Sequence, residues 1–112
     1  MADEHERGPS PFAALAAMDR LVHDPSRLAI LTLLLGWTEA EFAYLLAATG
    51  LTKGNLSSHH AKLEAGGLVE LTKGHKGKTP WTRAKLTKEG RETVERHWHD
   101  LDRLRREAAH WA

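Results

Sequence analysis

The stretch from Thr38 to Gly67, TEAEFAYLLAATGLTKGNLSSHHAKLEAGG, constrains the fold most, because it holds two helical patterns with only Gly50 and Leu51 between them. Two helices joined by so short a glycine-containing turn form a helix-turn-helix unit. In the first, Thr38 and Glu41 have the spacing of a capping box, Phe42, Leu45 and Leu46 make the apolar stripe, and Gly50 ends it. In the second, Thr52 is the cap, Leu56 and Leu63 turn inward with Ala61 or His60, and Gly66 or Gly67 is the stop. Lys53, Gly54, Asn55, Ser57, Ser58 and His59 are left mostly on the outer side. Exposed helix positions normally carry Glu, Lys or Arg, which favour helix more. Short polar donors instead suit a surface that must come close to something.

The flanks complete a mainly α (α+β) pattern. Residues 1–9 are polar and read as a flexible tail. Ser10 as cap and Pro11 at the first helical position start a helix through Phe12, Leu15, Met18 or Asp19, and Val22, reaching His23. Asp24 and Pro25 repeat the device for a helix so rich in Leu and Ile that it must be buried on most sides, with Gly36 at its end. After the helix-turn-helix, Val69 and Leu71 alternate with polar neighbours, Gly74 to Lys78 reads as a flexible basic tip, and residues 81–86 alternate again, which predicts a β-hairpin. Pro80 is confined to an edge or a strand start. Thr87 caps a final helix through Val94, Trp98, Leu101, Leu104 or Arg105, and Ala108. The expectation is a winged helix-turn-helix with a two-stranded β-hairpin wing and N- and C-terminal helices, one domain over residues 10–112.

Charge is sorted along this frame. The net charge is only +1, yet residues 1–52 carry a balance of −4, residues 53–91 of +6 and residues 92–112 of −1. A basic middle within a neutral average points to a polar face that meets an anion. The bland alternative is a solvated charged surface.

Other functions find little support. There is no cysteine, which removes disulfides and thiolate chemistry. No apolar run approaches the ~18 residues of a membrane span. The acidic start lacks the features of a secretory signal, so a soluble, cytoplasmic protein with no membrane partner is expected. No Gly-rich phosphate loop, H-E-x-x-H or G-x-S-x-G occurs, so neither an enzyme nor a cofactor is expected. His97 and His99 diverge by about 200° on a helix, the adjacent His59 and His60 also diverge, and no metal site is expected.

Duplex DNA fits the pattern. A helix enters the major groove with its N-terminal residues at base edges, while a hairpin beside it reaches phosphates or the minor groove. Asn55 can pair with adenine, Lys53 with guanine or phosphate, and Ser57 and Ser58 with either bases or phosphates. The backbone N–H groups at the helix start, with Thr52, favour a phosphate. Lys76 and Lys78 act through charge.

The pieces DPSRLAILTLL, GLTKGNLSSHHAKLEAGGLVE, KGKTPWTRAKLT and LTKEGRE together resemble the winged-helix transcriptional regulators of the MarR and ArsR type, over roughly three quarters of the chain, and most the short single-domain form. The resemblance implies a homodimer on a roughly palindromic operator, repression, and in some cases relief by a small-molecule effector. The DNA-binding residues expected on this basis are Thr52, Lys53, Gly54, Asn55, Ser57, Ser58, His59 and Lys62 of the recognition helix, with Lys73, His75, Lys76, Lys78, Thr79 and Arg83 of the wing. Such regulators commonly have Leu where this chain has His60, which implies a locally rotated helix or a buried histidine with a partner. The cysteines of the metal-sensing branch are absent.

Phe12, Leu15, Val94, Trp98, Leu101, Leu104 and Trp111 are the expected dimerisation residues, since little chain remains to cover the final helix. The alternative is an intramolecular core. Trp81 either anchors the hairpin onto the helices or touches DNA. The competing function is a winged-helix module that binds protein.

Overall fold

The computed structural model describes residues 10–111, so the tail expected over residues 1–9 lies outside the described residues. Along the chain run α1 (Pro11–Ala16), α2 (Pro25–Leu35), β1 (Ala40–Glu41), α3 (Phe42–Thr49), α4 (Lys53–Ala65), β2 (Val69–Lys76), β3 (Thr79–Leu86) and α5 (Lys88–Ala109). The strands form one antiparallel sheet in the order β1-β3-β2. This is a winged-helix fold, mainly helical.

Local chemistry sets most boundaries. Side-chain oxygens of Ser10, Asp24, Thr52 and Thr87 accept the backbone N–H groups of Phe12, Arg27, Asn55 and Gly90 at 3.1, 2.9, 3.2 and 2.9 Å. Each such cap is worth roughly 1 kcal/mol. Gly50 ends α3 in the left-handed conformation, φ 72°, and α4 starts three residues later.

Three expectations are corrected. The first helix stops at Ala16 rather than reaching His23, because the chain folds into a tight turn around Asp19, whose carboxylate accepts the Leu21 N–H at 2.9 Å. Thr38 and Glu41 form no capping box: Ala40 and Glu41 pair with Ala84 and Arg83 of β3, and the Glu41 carboxylate turns to Arg83. A short third strand thus joins the expected two-stranded hairpin in the sheet. Finally, Gly74 to Lys76 belong to β2, paired with Trp81, Pro80 and Thr79, so the tip is only Gly77 and Lys78. Pro80, at the second position of β3, needs no ladder donor toward β1, which reaches only Arg83 and Ala84.

The core centres on α2. Ile30, Leu31 and Leu34 are fully buried with Leu45, Leu56, Leu63, Val69, Ala84 and Val94, contributions from all the longer elements. Each side chain of this kind contributes about 1.5–3 kcal/mol on burial. The start of α5 is locked to the α4–β2 junction: the Thr87 hydroxyl donates to the Gly67 carbonyl at 2.7 Å and the Thr87 N–H to the Leu68 carbonyl at 3.0 Å. α1 packs on α5. This anchors the wing and α4 to the same scaffold.

Candidate nucleic-acid interface

α4 has two chemically distinct sides. Leu56, His60 and Leu63 are buried, while Thr52, Lys53, Gly54, Asn55, Ser57, Ser58 and Lys62 are exposed. Gly54 stands in the first turn with nothing within 4 Å of where a side chain would begin. A helical glycine costs about 0.5–1 kcal/mol relative to alanine, and no contact within the chain accounts for this one.

The wing carries the second half of the surface. Lys73, His75, Lys76, Lys78 and Thr79 are exposed. A groove of about 820 Å³ runs between the wing and the helices, lined by Lys53 at the start of α4, Phe42 and Leu46 of α3, and His75, Lys76 and Thr79 of the hairpin. The short polar start of α4 and the lysine-bearing hairpin therefore open onto one concave face. Among the described residues, none of Lys53, Lys62, Lys73, Lys76 and Lys78 is ion-paired, whereas Lys85 meets Glu70 at 3.4 Å. Of these, Lys53 and Lys76 line the groove, where their unpaired charges are available to an anion.

Two of the residues expected to bind DNA also have partners within the chain. Arg83 meets Glu39 at 3.4 Å and Glu41 at 3.2 Å, and its guanidinium lies 4.2 Å from the centre of the Trp81 ring. Its charge is balanced within the protein, and it braces β1 against β3. His59 is half-buried, its Nδ1 3.2 Å from an Arg27 guanidinium nitrogen. Trp81 packs across the hairpin on Gly74.

His60 is buried, 3% exposed; its ring meets Phe42 edge-on with centroids 5.7 Å apart, and among the described residues its Nε2 has no hydrogen-bond partner. Burial pushes its pKa below the ordinary 6.5, against the opposing pull of Glu64, and His59 adds to the lowering. A second histidine contact could not be read from sequence, being 74 residues apart: His23 Nδ1 lies 3.2 Å from His97 Nε2. Burial and then His23 lower the His97 pKa, opposed by Asp100 and Asp19. Among the described residues, no three metal-ligating side chains gather closely enough to hold an ion.

The residues expected at a dimer seam divide. Val94 and Leu104 are buried within the chain, Val94 as part of the core cluster. Phe12 and Trp98 are 53% and 44% exposed, and Leu15, Leu101 and Trp111 are half-buried. The Trp98 indole donates to the Thr32 hydroxyl at 2.8 Å, which fixes the ring on α2.

A helix-turn-helix whose second helix shares an open basic face with a following hairpin defines a winged helix-turn-helix protein. The family model described as winged helix DNA-binding domain matches residues 26–104. The chain belongs to that family. It is 39% identical over 79 residues to the uncharacterized protein MJ0432 of Methanocaldococcus jannaschii, covering 70% of this chain and 85% of that one. Among solved structures it is similar to the transcriptional regulator homologue protein from Pyrococcus horikoshii OT3, at 30% identity and a TM-score of 0.75, over 84% of this chain and 92% of that one. It is also similar to reduced HlyU from Vibrio cholerae N16961, at 25% identity and a TM-score of 0.58, over the same shares of the two chains. Among the described residues, no helix is long and apolar enough to cross a membrane.

Proposed function

We propose that this chain is a sequence-specific double-stranded DNA-binding regulator of transcription, a repressor, that acts as a homodimer. The observation that carries the reading is the shared groove, with Lys53 of α4 on one side and His75, Lys76 and Thr79 of the wing on the other. In this reading α4 enters the major groove, where Asn55 reads a base edge, and the wing lysines lie along the phosphates. The resemblance of the fold to a transcriptional regulator homologue supports the same assignment.

A single short helix reads few base pairs, and a symmetric pair doubles the site. The exposed Phe12 and Trp98, with Leu15 and Leu101 beside them in sequence, supply apolar surface for such a pair. The two α4 helices would then lie about 34 Å apart, one turn of DNA.

Selection of bound duplexes from a random pool, followed by titration of the preferred duplex at several salt concentrations, tests the reading. A preferred roughly palindromic site is expected, with a log–log salt slope of about 0.9 per neutralised phosphate. Asn55→Ala should lose about 1–3 kcal/mol of preference at one position, whereas Lys76→Ala should weaken all duplexes alike. No preferred duplex and a flat salt response would instead favour a winged-helix module that binds protein.

A further inference from the structure

Arg27 stands in the first turn of α2, its side chain only 12% exposed, and its guanidinium is held from several directions. Nε donates to the Leu21 carbonyl at 2.8 Å, Nη2 donates to the Arg20 carbonyl at 3.0 Å, and the Asp24 carboxylate lies 3.8 Å away. Asp24 is fixed in turn, since it accepts the Arg27 backbone N–H at 2.9 Å. The remaining nitrogen, Nη1, points at His59 Nδ1 across 3.2 Å. That contact joins α2 to the outer flank of α4, where Asn55 and Lys62, one turn before and after His59, are both exposed.

The contact admits only one arrangement of protons. A guanidinium carries donors and no acceptor, so the ring nitrogen facing it must offer a lone pair. A neutral imidazole has one N–H, which is then on Nε2. Among the described residues no hydrogen bond is made by that Nε2, and the ring is partly exposed.

We propose that Arg27 is a positioning residue for recognition: it fixes His59 as the Nε2–H tautomer and so turns the ring into a one-way hydrogen-bond donor at the edge of the DNA-facing surface. This rests on the regulator reading above. An untethered neutral histidine offers either a donor or an acceptor at Nε2, and can meet opposite base edges. The clamped ring accepts nothing there. It would favour guanine N7 and O6, adenine N7, thymine O4 or a phosphate oxygen, and disfavour the amino groups of cytosine and adenine.

Side-chain ¹⁵N NMR of the full chain, at a pH well above the histidine range, reads the tautomer without DNA. His59 is expected as the Nε2–H form in the unaltered protein and as a mixture of tautomers in Arg27→Met. Arg27→Lys, which keeps the cation beside Asp24 but lacks the fork, should also lose the bias while remaining folded. On the duplex selected from a random pool, His59→Ala and Arg27→Met should each weaken binding about tenfold, and the double variant little more than either. Loss at one base pair would assign the acceptor to a base; equal loss on every duplex would assign it to a phosphate. An Nδ1–H tautomer in the unaltered protein, a bias that survives in Arg27→Met and Arg27→Lys, or affinity indifferent to His59→Ala would overturn the proposal. Should the tautomer be as expected while no duplex is bound, the donor role fails too, but the fault lies in the regulator reading and not in the clamp.

Discussion

Trp81 lies against Gly74 across the hairpin so closely that a Cβ on Gly74 would stand 2.2 Å from the indole ring. The wing thus has a small core of its own, with the Arg83 guanidinium over the indole and Glu39 and Glu41 holding that guanidinium. Gly74→Ala should force the ring off this seat and destabilise the protein by about 1–3 kcal/mol, as overpacking does. Urea unfolding followed by tryptophan fluorescence measures it. An alanine variant with unchanged stability and emission would mean that the ring has another seat.

Gly54 has the opposite character, since its Cβ position is open. Gly54→Ala should raise stability by about 0.5–1 kcal/mol through helix propensity, yet weaken binding to a preferred duplex if the backbone there approaches DNA closely. Stability and affinity are read separately, by thermal unfolding and by titration. A gain in stability with unchanged affinity would place the contact elsewhere on α4.

His60 leaves a buried nitrogen unbonded, and an unmade bond of this kind costs about 1–3 kcal/mol. Replacing His60 with leucine should therefore stabilise the protein. It should also change the pH dependence, whose sign follows from the lowered pKa values of His60 and His97. Below the ordinary histidine value of 6.5, the unfolded chain takes up protons that the folded chain refuses, so stability falls as pH drops through that value and toward the lower folded pKa. Denaturation between about pH 5 and 8 should give a shallower slope for His60→Leu than for the unaltered chain. Equal slopes would show that His60 takes no part.

What could be read in advance was the chemistry that acts over a few residues. The caps at Ser10, Asp24, Thr52 and Thr87 and the stop at Gly50 all answer to local hydrogen bonds and local backbone geometry; the caps start four of the five helices and Gly50 ends the fifth. The Thr38–Glu41 pair had the same local signature but lost to a distant one, because Arg83, more than 40 residues later, offers Glu41 a cation and β3 offers the backbone a partner. The exposed face of α4 and the lysines of the wing were legible from composition. That Arg83 and His59 are bound within the chain was not, since their partners come from other elements. Val94 showed only helical spacing, which cannot distinguish a chain's own core from a partner's surface.

Trp98 separates those two possibilities. As a half-exposed ring on α5, it should support the dimer, and Trp98→Ala or Leu101→Glu should sediment as a folded monomer. Val94→Ala should behave differently, losing about 0.5–1.5 kcal/mol or more of stability through a buried cavity without first dissociating. A dimer undiminished in both surface variants would move the seam away from α5.

The most direct measurement is an amide NMR titration of the full chain with its selected duplex. If the start of α4 and the wing grip one DNA together, the largest shifts should appear in step at Lys53 to Ser58 and at His75 to Thr79, with α5 from Arg103 onward little changed. Perturbations confined to one of these two segments, or centred on α5, would contradict the shared face on which the account stands.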